Sequence, residues 1–297
     1  ECHATGTPKG DKVELSSMEQ FFSQYDHKPL LGSAKSNLGH LLTAAGMPAM
    51  TKAIYALNNK VIPATINVDN VITTEQAYFS GKQIPTHNIP WPESAHQNTA
   101  GVSVFGFGGS NAHIVLQAGD TPESINNKTL NHVDGLSIIG MDCHFGSVDN
   151  LLDYQTLLNT NKNAFKILPK QRWQGIEQQK SVLNKVGLNK APLGNYVSEF
   201  DIDFLRFKIP PNDQDSLIPQ QLLMMKVADN ALKDANLKPG ANVAVLVAMG
   251  LELDLHQYRG RVNLQSQIQQ SLLQQGIELN QQQLAELIKI SKQSINE

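Results

Sequence analysis

Apolar residues alternate with polar or small ones at Val102 and Val104, and again at Ala112, Ile114 and Leu116. Between them lies the glycine-rich string Phe105-Gly106-Phe107-Gly108-Gly109-Ser110-Asn111. A period of two interrupted by glycines predicts strand, turn, strand. A four-residue period governs residues 41–57, where Ala45, Ala49 and Ala53 form a stripe of small side chains suited to close packing. That pattern predicts a buried helix beginning just after Gly39, with Pro48 removing one backbone hydrogen bond and bending the axis.

The polar stretch 120–134 has almost no apolar periodicity and reads as a linker. Beyond it the apolar run 136–139 predicts a short strand, and 149–158 a helix that Asp149 could cap. Leu222, Met225, Asp229 and Leu232 mark one face of a further helix, and the wholly apolar run 243–248 reads as a strand covered on both sides. From Val262 onward the Gln- and Leu-rich spacing predicts solvent-facing amphipathic helices. Gln-rich composition can mark an aggregation-prone tract, but the interleaved Leu and Ile favour helix. Strands alternating with helices in both blocks give an α/β class.

Composition narrows the function. With 297 residues and 40% hydrophobic content the chain can bury a sizeable core in one or two domains. A formal charge of -3 and a pI near 6.3, with no long basic run, argue against nucleic-acid or membrane-surface partners. No apolar stretch approaches the roughly 20 residues that cross a bilayer, and no signal segment opens the chain. Cys2 and Cys143 are too few for a disulfide framework and fit a reducing, cytoplasmic setting. Each precedes a histidine, so a shared metal site can be imagined. Adjacent side chains on a strand point to opposite faces, so two ordinary buried thiols are the better reading, and no metal is expected.

Three strings carry the chemistry: Glu1-Cys2-His3-Ala4-Thr5-Gly6-Thr7-Pro8-Lys9-Gly10-Asp11, Lys35-Ser36-Asn37-Leu38-Gly39-His40, and the segment 101–116 containing Gly106-Phe107-Gly108-Gly109-Ser110-Asn111-Ala112-His113. In order, spacing and content they resemble the signature strings EAHGTGTxxGD, KSNxGH and SSFGFGGTNAH of the C-terminal half of β-ketoacyl synthases. Cys2 stands for the usual Ala and Ala4 for the usual Gly. The resemblance implies a decarboxylative Claisen condensation in which His3 and His40 donate N–H bonds to the developing enolate of a malonyl thioester. A donor imidazole should be neutral, and a position at the start of the 41–57 helix would disfavour a second proton on His40. By the same resemblance Lys35 supports the histidines, and Thr5 and Thr7 bind the phosphopantetheine arm. Phe107 gates the acyl pocket and gives a backbone N–H to an oxyanion hole. Gly106, Gly108 and Gly109 allow close approach of the backbone. A phosphate-binding loop is the rival reading of these glycines, but the strand-like alternation after them argues against the helix start such loops need. His113 and His132 read as satisfied structural residues.

The family's acyl-accepting cysteine lies upstream of the His3 string. The chain, which opens on Glu1, is therefore read as a piece of a longer polypeptide, expected not to condense anything alone. Residues 136–158 resemble the opening of a second ketosynthase, usual form IAIIGMACRFPGA. Segments 200–211 and 217–232 resemble the later FDxxFFGISP and MDPQQRLLLExxWEAL strings, with Ile218 for Asp and Leu222 for Arg. These losses suggest a relaxed, noncatalytic copy. A C-terminal ketosynthase half followed closely by such a divergent N-terminal half, together with the string 171–176, resembles the ketosynthase and chain-length-factor tandem of bacterial polyunsaturated fatty acid synthases. The implied fold is thiolase-like, layered α/β/α/β/α, with residues 1–119 as the C-terminal part of one ketosynthase, 120–134 a linker, and 135–297 the N-terminal part of a divergent second. Implied partners are acyl carrier protein domains and a ketosynthase/chain-length-factor pseudo-dimer or homodimer. No cofactor is expected to bind directly, the substrates riding on carrier-protein phosphopantetheine. Two alternatives stand beside this reading: a junction between modules of a polyketide synthase, and a noncatalytic scaffold that binds carrier protein.

Overall fold

A computed structural model describes residues 1–92, 98–119, 136–169, 178–185, 187–210, 219–238, 240–248 and 264–294. It divides into two units: Glu1–Phe165 with Val197–Leu246, and Lys166–Tyr196 with Val247–Glu297. The expected linker 120–134, the string 171–176, His132 and Ile218 lie outside the described residues.

In the first unit, helix α1 (Pro8–Phe22) starts on Pro8, where a missing N–H costs nothing. Its Leu15, Met18 and Phe22 pack around Cys2, Leu31 and Phe79. The single turn α2 (Lys35–Leu38) and a 3-10 turn at Leu42–Ala44 precede α3 (Gly46–Asn59), which ends at left-handed Lys60. Strands β1 (Val61–Ile62) and β2 (Ile89–Pro90) form a short antiparallel ladder. The expected hairpin consists of β3 (Thr99–Phe105) and β4 (Asn111–Gln117), antiparallel with Val102 opposite Ile114. A 3-10 turn, Phe107–Gly109, joins the two strands. The alanine stripe meets β3: Ala49, Ala53 and Val102 are buried together, with Ala100, Val104 and Leu116 against them. Small side chains on one element let the other approach closely, and a Cβ on Gly46 would lie 3.1 Å from a Val104 methyl.

The helix expected from residue 41 therefore begins later. Residues 42–44 wind as 3-10 and the α-helix opens only at Gly46, so Pro48 falls in its first turn. N–H groups there have no intrahelical acceptor, so this proline removes no helical bond.

A third cluster joins the two sequence blocks. Leu38 and Tyr55 pack with Cys143, Phe145, Val148, Tyr154, Leu158 and Ala164. The last group surrounds helix α4 (Leu151–Asn159), whose N-cap is Asn150 rather than the expected Asp149: the Asn150 side chain accepts from the Asp153 N–H. Polar bonds cross the same seam, with Tyr154 Oη donating to the Pro48 carbonyl at 3.0 Å and Tyr55 Oη to Asn159 Oδ1 at 2.7 Å.

Two expected strands are not ladders. Residues 136–139 and 243–248 have no sheet partner among the described residues. Leu136, at 96% relative exposure, and Leu246, at 92%, are open to solvent. An apolar run is strand only when a second backbone satisfies its N–H and C=O groups. The helix expected through Leu222 and Leu232 is present as Pro219–Asp234.

In the second unit, the backbones of Lys166 and Gly194 pair in an isolated bridge, and Leu183 is the buried residue of the short helix Lys180–Lys185. The expected C-terminal helices are Leu264–Gln274 and Gln281–Ser294. The second opens with a reciprocal cap: Asn280 Oδ1 accepts from Gln283 N–H while Gln283 Oε1 accepts from Asn280 N–H.

Candidate active site

The strings holding His3 and His40 meet in the first unit. Residues 1–5 run between β3 and α1. Cys2 N–H donates to the Gly32 carbonyl at 2.7 Å, and Ser103 N–H to the Glu1 carbonyl at 2.9 Å. Carboxylates of α1 hold the next three amides. Glu14 accepts from the N–H groups of His3 and Ala4, both at 2.8 Å, and Asp11 Oδ1 from Thr5 N–H at 3.0 Å. Ala4 carries a positive φ of 21°, a left-handed backbone uncommon away from glycine, which the two-pronged Glu14 contact secures.

The rings of His3 and His40 lie 5.4 Å apart, centroid to centroid, at an interplanar angle of 86°. His3 Nδ1 accepts from the Phe105 N–H at 3.3 Å, and His40 Nδ1 from the Leu42 N–H at 3.0 Å. A neutral imidazole that accepts at Nδ1 carries its proton on Nε2, so these bonds assign both rings the same tautomer. Partial burial first, then the Lys35 charge, hold both imidazoles below their ordinary pKa, with His40 adding to the effect on His3 and Asp11 opposing it. The expected helix-dipole contribution at His40 is not present in that form, since the α-helix begins six residues later, at Gly46. The Lys35 amine is itself held below its usual range by burial, against the pull of Glu1, Glu14, Cys2 and Asp11.

Thr5 and Thr7 are exposed, their hydroxyls 3.0 Å apart. A cavity of about 490 Å³ opens beside them, lined in part by Thr5, Asp11, Glu14 and Lys35 but by neither imidazole. At the hairpin turn Gly108 and Gly109 have φ of 75° and 86°, and a Cβ on Gly106 would lie 2.8 Å from the Ser110 carbonyl oxygen. Side chains are excluded here by conformation at two positions and by crowding at the third. Phe107 contributes its backbone to this turn, and its side chain lies outside what the structure describes. His113 Nδ1 bonds Ser103 Oγ across the hairpin at 3.0 Å.

The two Cys-His pairs do not converge. Cys2 and Cys143 sit in different apolar clusters, and burial pushes both thiols up to about 12. Among the described residues no cluster of His, Cys, Asp and Glu is arranged to hold a metal ion, and no helix is long and apolar enough to cross a membrane.

In the second block, Asp149 Oδ1 takes bonds from His144 Nδ1 and Lys226 Nζ, each at 2.8 Å. The Lys226 bond is the largest cause holding this carboxyl below its usual range. Asp229 binds Arg206 through both oxygens and pairs with Lys233.

Sequence reasoning missed Glu14 and Asn37, which position the backbone around His3 and His40. The sequence signals were slight: Glu14 is an acid beside the apolar Leu15, and Asn37 lies within the His40 string, while the structure shows both side chains buried.

Sequence profiles of known families match three stretches. "Beta-ketoacyl synthase, C-terminal domain" matches residues 1–69, "Ketoacyl-synthetase C-terminal extension" 80–171, and "Beta-ketoacyl synthase, N-terminal domain" 134–288, more than half the chain. A polyunsaturated fatty acid synthase polypeptide of Thraustochytrium sp. is 35% identical over 281 residues, 90% of this chain and 13% of that protein. A phenolphthiocerol/phthiocerol polyketide synthase polypeptide of Mycobacterium tuberculosis is 39% identical over 124 residues, 41% of this chain and 6% of that protein. The chain thus spans a small fraction of the length of these relatives. The solved structure titled "PfaC Keto synthase-Chain length factor" is 59% identical, covering 99% of this chain and 31% of its own, with a TM-score of 0.48.

Proposed function

Since the chain belongs to the β-ketoacyl synthase family, whose fold is thiolase-like, we propose that residues 1–119 carry the enolate-stabilising side of a condensing centre. The substrates are an acyl thioester and a malonyl thioester in polyunsaturated fatty acid assembly. The observation that carries this reading is the matched pair of imidazoles, rings 5.4 Å apart, each accepting a backbone N–H at Nδ1. Both Nε2–H groups remain as donors. The C–C bond to the malonyl carboxylate breaks and carbon dioxide leaves. The electron pair moves into the thioester as an enolate, whose oxygen accepts the two Nε2–H bonds. The enolate carbon then attacks the acyl thioester carbonyl, and the thiolate departs.

That thiolate belongs to a cysteine outside these 297 residues, because Cys2 and Cys143 are buried thiols held near 12, far from nucleophilic at neutral pH. The chain alone therefore does not condense. The Lys35 charge adds to burial in holding both imidazoles below their ordinary pKa, which favours the neutral donor form. The hydroxyls of Thr5 and Thr7 meet the pantetheine amides of a carrier-protein arm. The Phe107 N–H and the Gly106, Gly108 and Gly109 backbone form the acyl oxyanion turn. Residues 135–297 begin a second ketosynthase-like domain, of chain-length-factor type, that pairs with the first. The interval 120–134 is too short for another domain, which favours the tandem over a junction of polyketide modules.

The test uses the intact synthase polypeptide. His3→Ala and His40→Ala each remove one enolate donor, expected to cost about 10²–10³ in malonyl decarboxylation while acyl loading continues. Undiminished decarboxylation in either variant refutes the assignment.

A further inference from the structure

We propose that residues 162–165, which follow helix α4 in the second block, are a positioning element for His40. The proposal rests on the enolate-donor reading of that histidine. His40 follows α2, a single helical turn, and one turn has no stability of its own. Its seat is fixed from outside. The Ala164 N–H donates to the Asn37 carbonyl at 2.8 Å, and Asn37 Nδ2 donates to the Lys162 carbonyl at 2.9 Å. Leu38 is buried among Phe145, Tyr154, Leu158 and Ala164. Gly39 has a φ of 79°, and the Phe165 ring edge comes so near that a Cβ on Gly39 would lie 3.2 Å from Phe165 Cε1. Each of the three residues before His40 thus meets a group from the second block.

The first block holds the other side of the turn. Ser36 Oγ donates to the Ser33 carbonyl at 2.8 Å, and Asn67 Nδ2 to the Ser36 carbonyl at 2.9 Å. First-block contacts continue past Ser36: Ser36 Oγ lies 3.2 Å from Asn37 Oδ1, the Asn37 and Leu38 N–H groups donate to the Ala34 carbonyl, the Gly39 N–H donates to the Lys35 carbonyl, and Tyr55 shares the cluster around Leu38. The ring edge against Gly39 and the bonds of Asn37 to Lys162 and Ala164 are what the second block adds. The aromatic wedge at Gly39 and the paired Asn37 bonds set where the His40 ring begins, and with it the distance to His3. A packed contact of this kind transmits small displacements, and an ångström of misplacement in a catalytic group lowers rate steeply.

The test is histidine-selective nuclear magnetic resonance on the 297-residue chain, with Phe165→Ala, Phe165→Leu and Leu116→Ala. Leu116→Ala weakens the core between the hairpin and α3, a cluster that does not include Asn37, Leu38 or Gly39. Positioning predicts that Phe165→Ala moves the His40 resonances and raises its titration midpoint toward the ordinary imidazole value. Phe165→Leu should restore most of the shift, and Leu116→Ala should leave His40 near its native position, with His113, bonded to Ser103 across the hairpin, as the reference for an intact fold in the Phe165 variants. In the intact polypeptide Phe165→Ala should lower kcat for decarboxylation about tenfold with KM little changed. Native His40 resonances in Phe165→Ala, or equal effects of Phe165→Ala and Leu116→Ala, overturn the proposal. Loss of decarboxylation in His40→Ala together with a native Phe165→Ala variant would reject the positioning element and leave the enolate-donor reading standing. Undiminished decarboxylation in His40→Ala rejects the donor reading, whatever the spectra of Phe165→Ala.

Discussion

Tyr154 separates two ways in which the blocks could be held together. Its ring is 1% exposed, stacks edge to face on Phe145 at 5.2 Å, and its hydroxyl donates to the Pro48 carbonyl at 3.0 Å. Burial holds the phenol above its ordinary pKa, so it is a donor at neutral pH. Tyr154→Phe removes only the bond. Because the Pro48 carbonyl also lies within α3, whose ladder supplies a second donor, no acceptor is orphaned and the cost should be about 1 kcal/mol. Tyr154→Ala removes the ring as well and should cost about 3–5 kcal/mol. Urea unfolding, followed by near-ultraviolet circular dichroism, reads the difference. With an m-value of about 2–3 kcal/mol/M, the midpoint should fall by roughly 0.4 M for Tyr154→Phe and by more than about 1 M for Tyr154→Ala. Equal losses would mean that the hydroxyl bond, not apolar packing, joins the blocks. A loss below about 1 kcal/mol for Tyr154→Ala would mean that the shared core is absent.

Lys35→Met should raise the titration midpoints of His3 and His40 together, because the Lys35 charge is the second cause, after burial, that lowers both. The sign for stability follows from linkage. Below an ordinary value of 6.5 the unfolded imidazoles bind protons that the folded ones resist, so stability falls as pH drops through that window. The fall should be shallower in Lys35→Met, as measured by unfolding at several pH values. Cys2 and Cys143, held near 12, should both resist Ellman's reagent in the folded chain and react once urea exposes them; a fast-reacting thiol in the native chain contradicts their burial. Gly109→Ala forces a side chain into a φ of 86° and should destabilise the hairpin turn by about 1–2 kcal/mol, visible as a lowered Tm.

The hairpin was legible because alternation and turn glycines are local properties: Val102, Ile114 and Gly108 lie within a dozen residues of one another. The α3 stripe was legible for the same reason, but its start was not, since residues 42–44 satisfy the same apolar pattern in a tighter 3-10 turn. Residues 136–139 and 243–248 show the limit. Their apolar character is plain in the sequence, but whether they form strands depends on a partner backbone that no local pattern records. The histidine pair was found through its motifs, and periodicity alone would have left both rings as ordinary residues. The core joining Leu38 and Tyr55 to Tyr154 and Leu158 had no sequence signal, because it is built from contacts a hundred residues apart.

Seating both imidazoles on main-chain amides ties acid sensitivity to loop shape. A proton added at Nδ1 of His3 or His40 would turn an acceptor toward the N–H of Phe105 or Leu42 and set two donors face to face. Mild acid would then do more than charge a ring. It would push the hairpin turn and the loop after Gly39 off their anchors, so the loss of the donors and the loosening of the two loops should set in together.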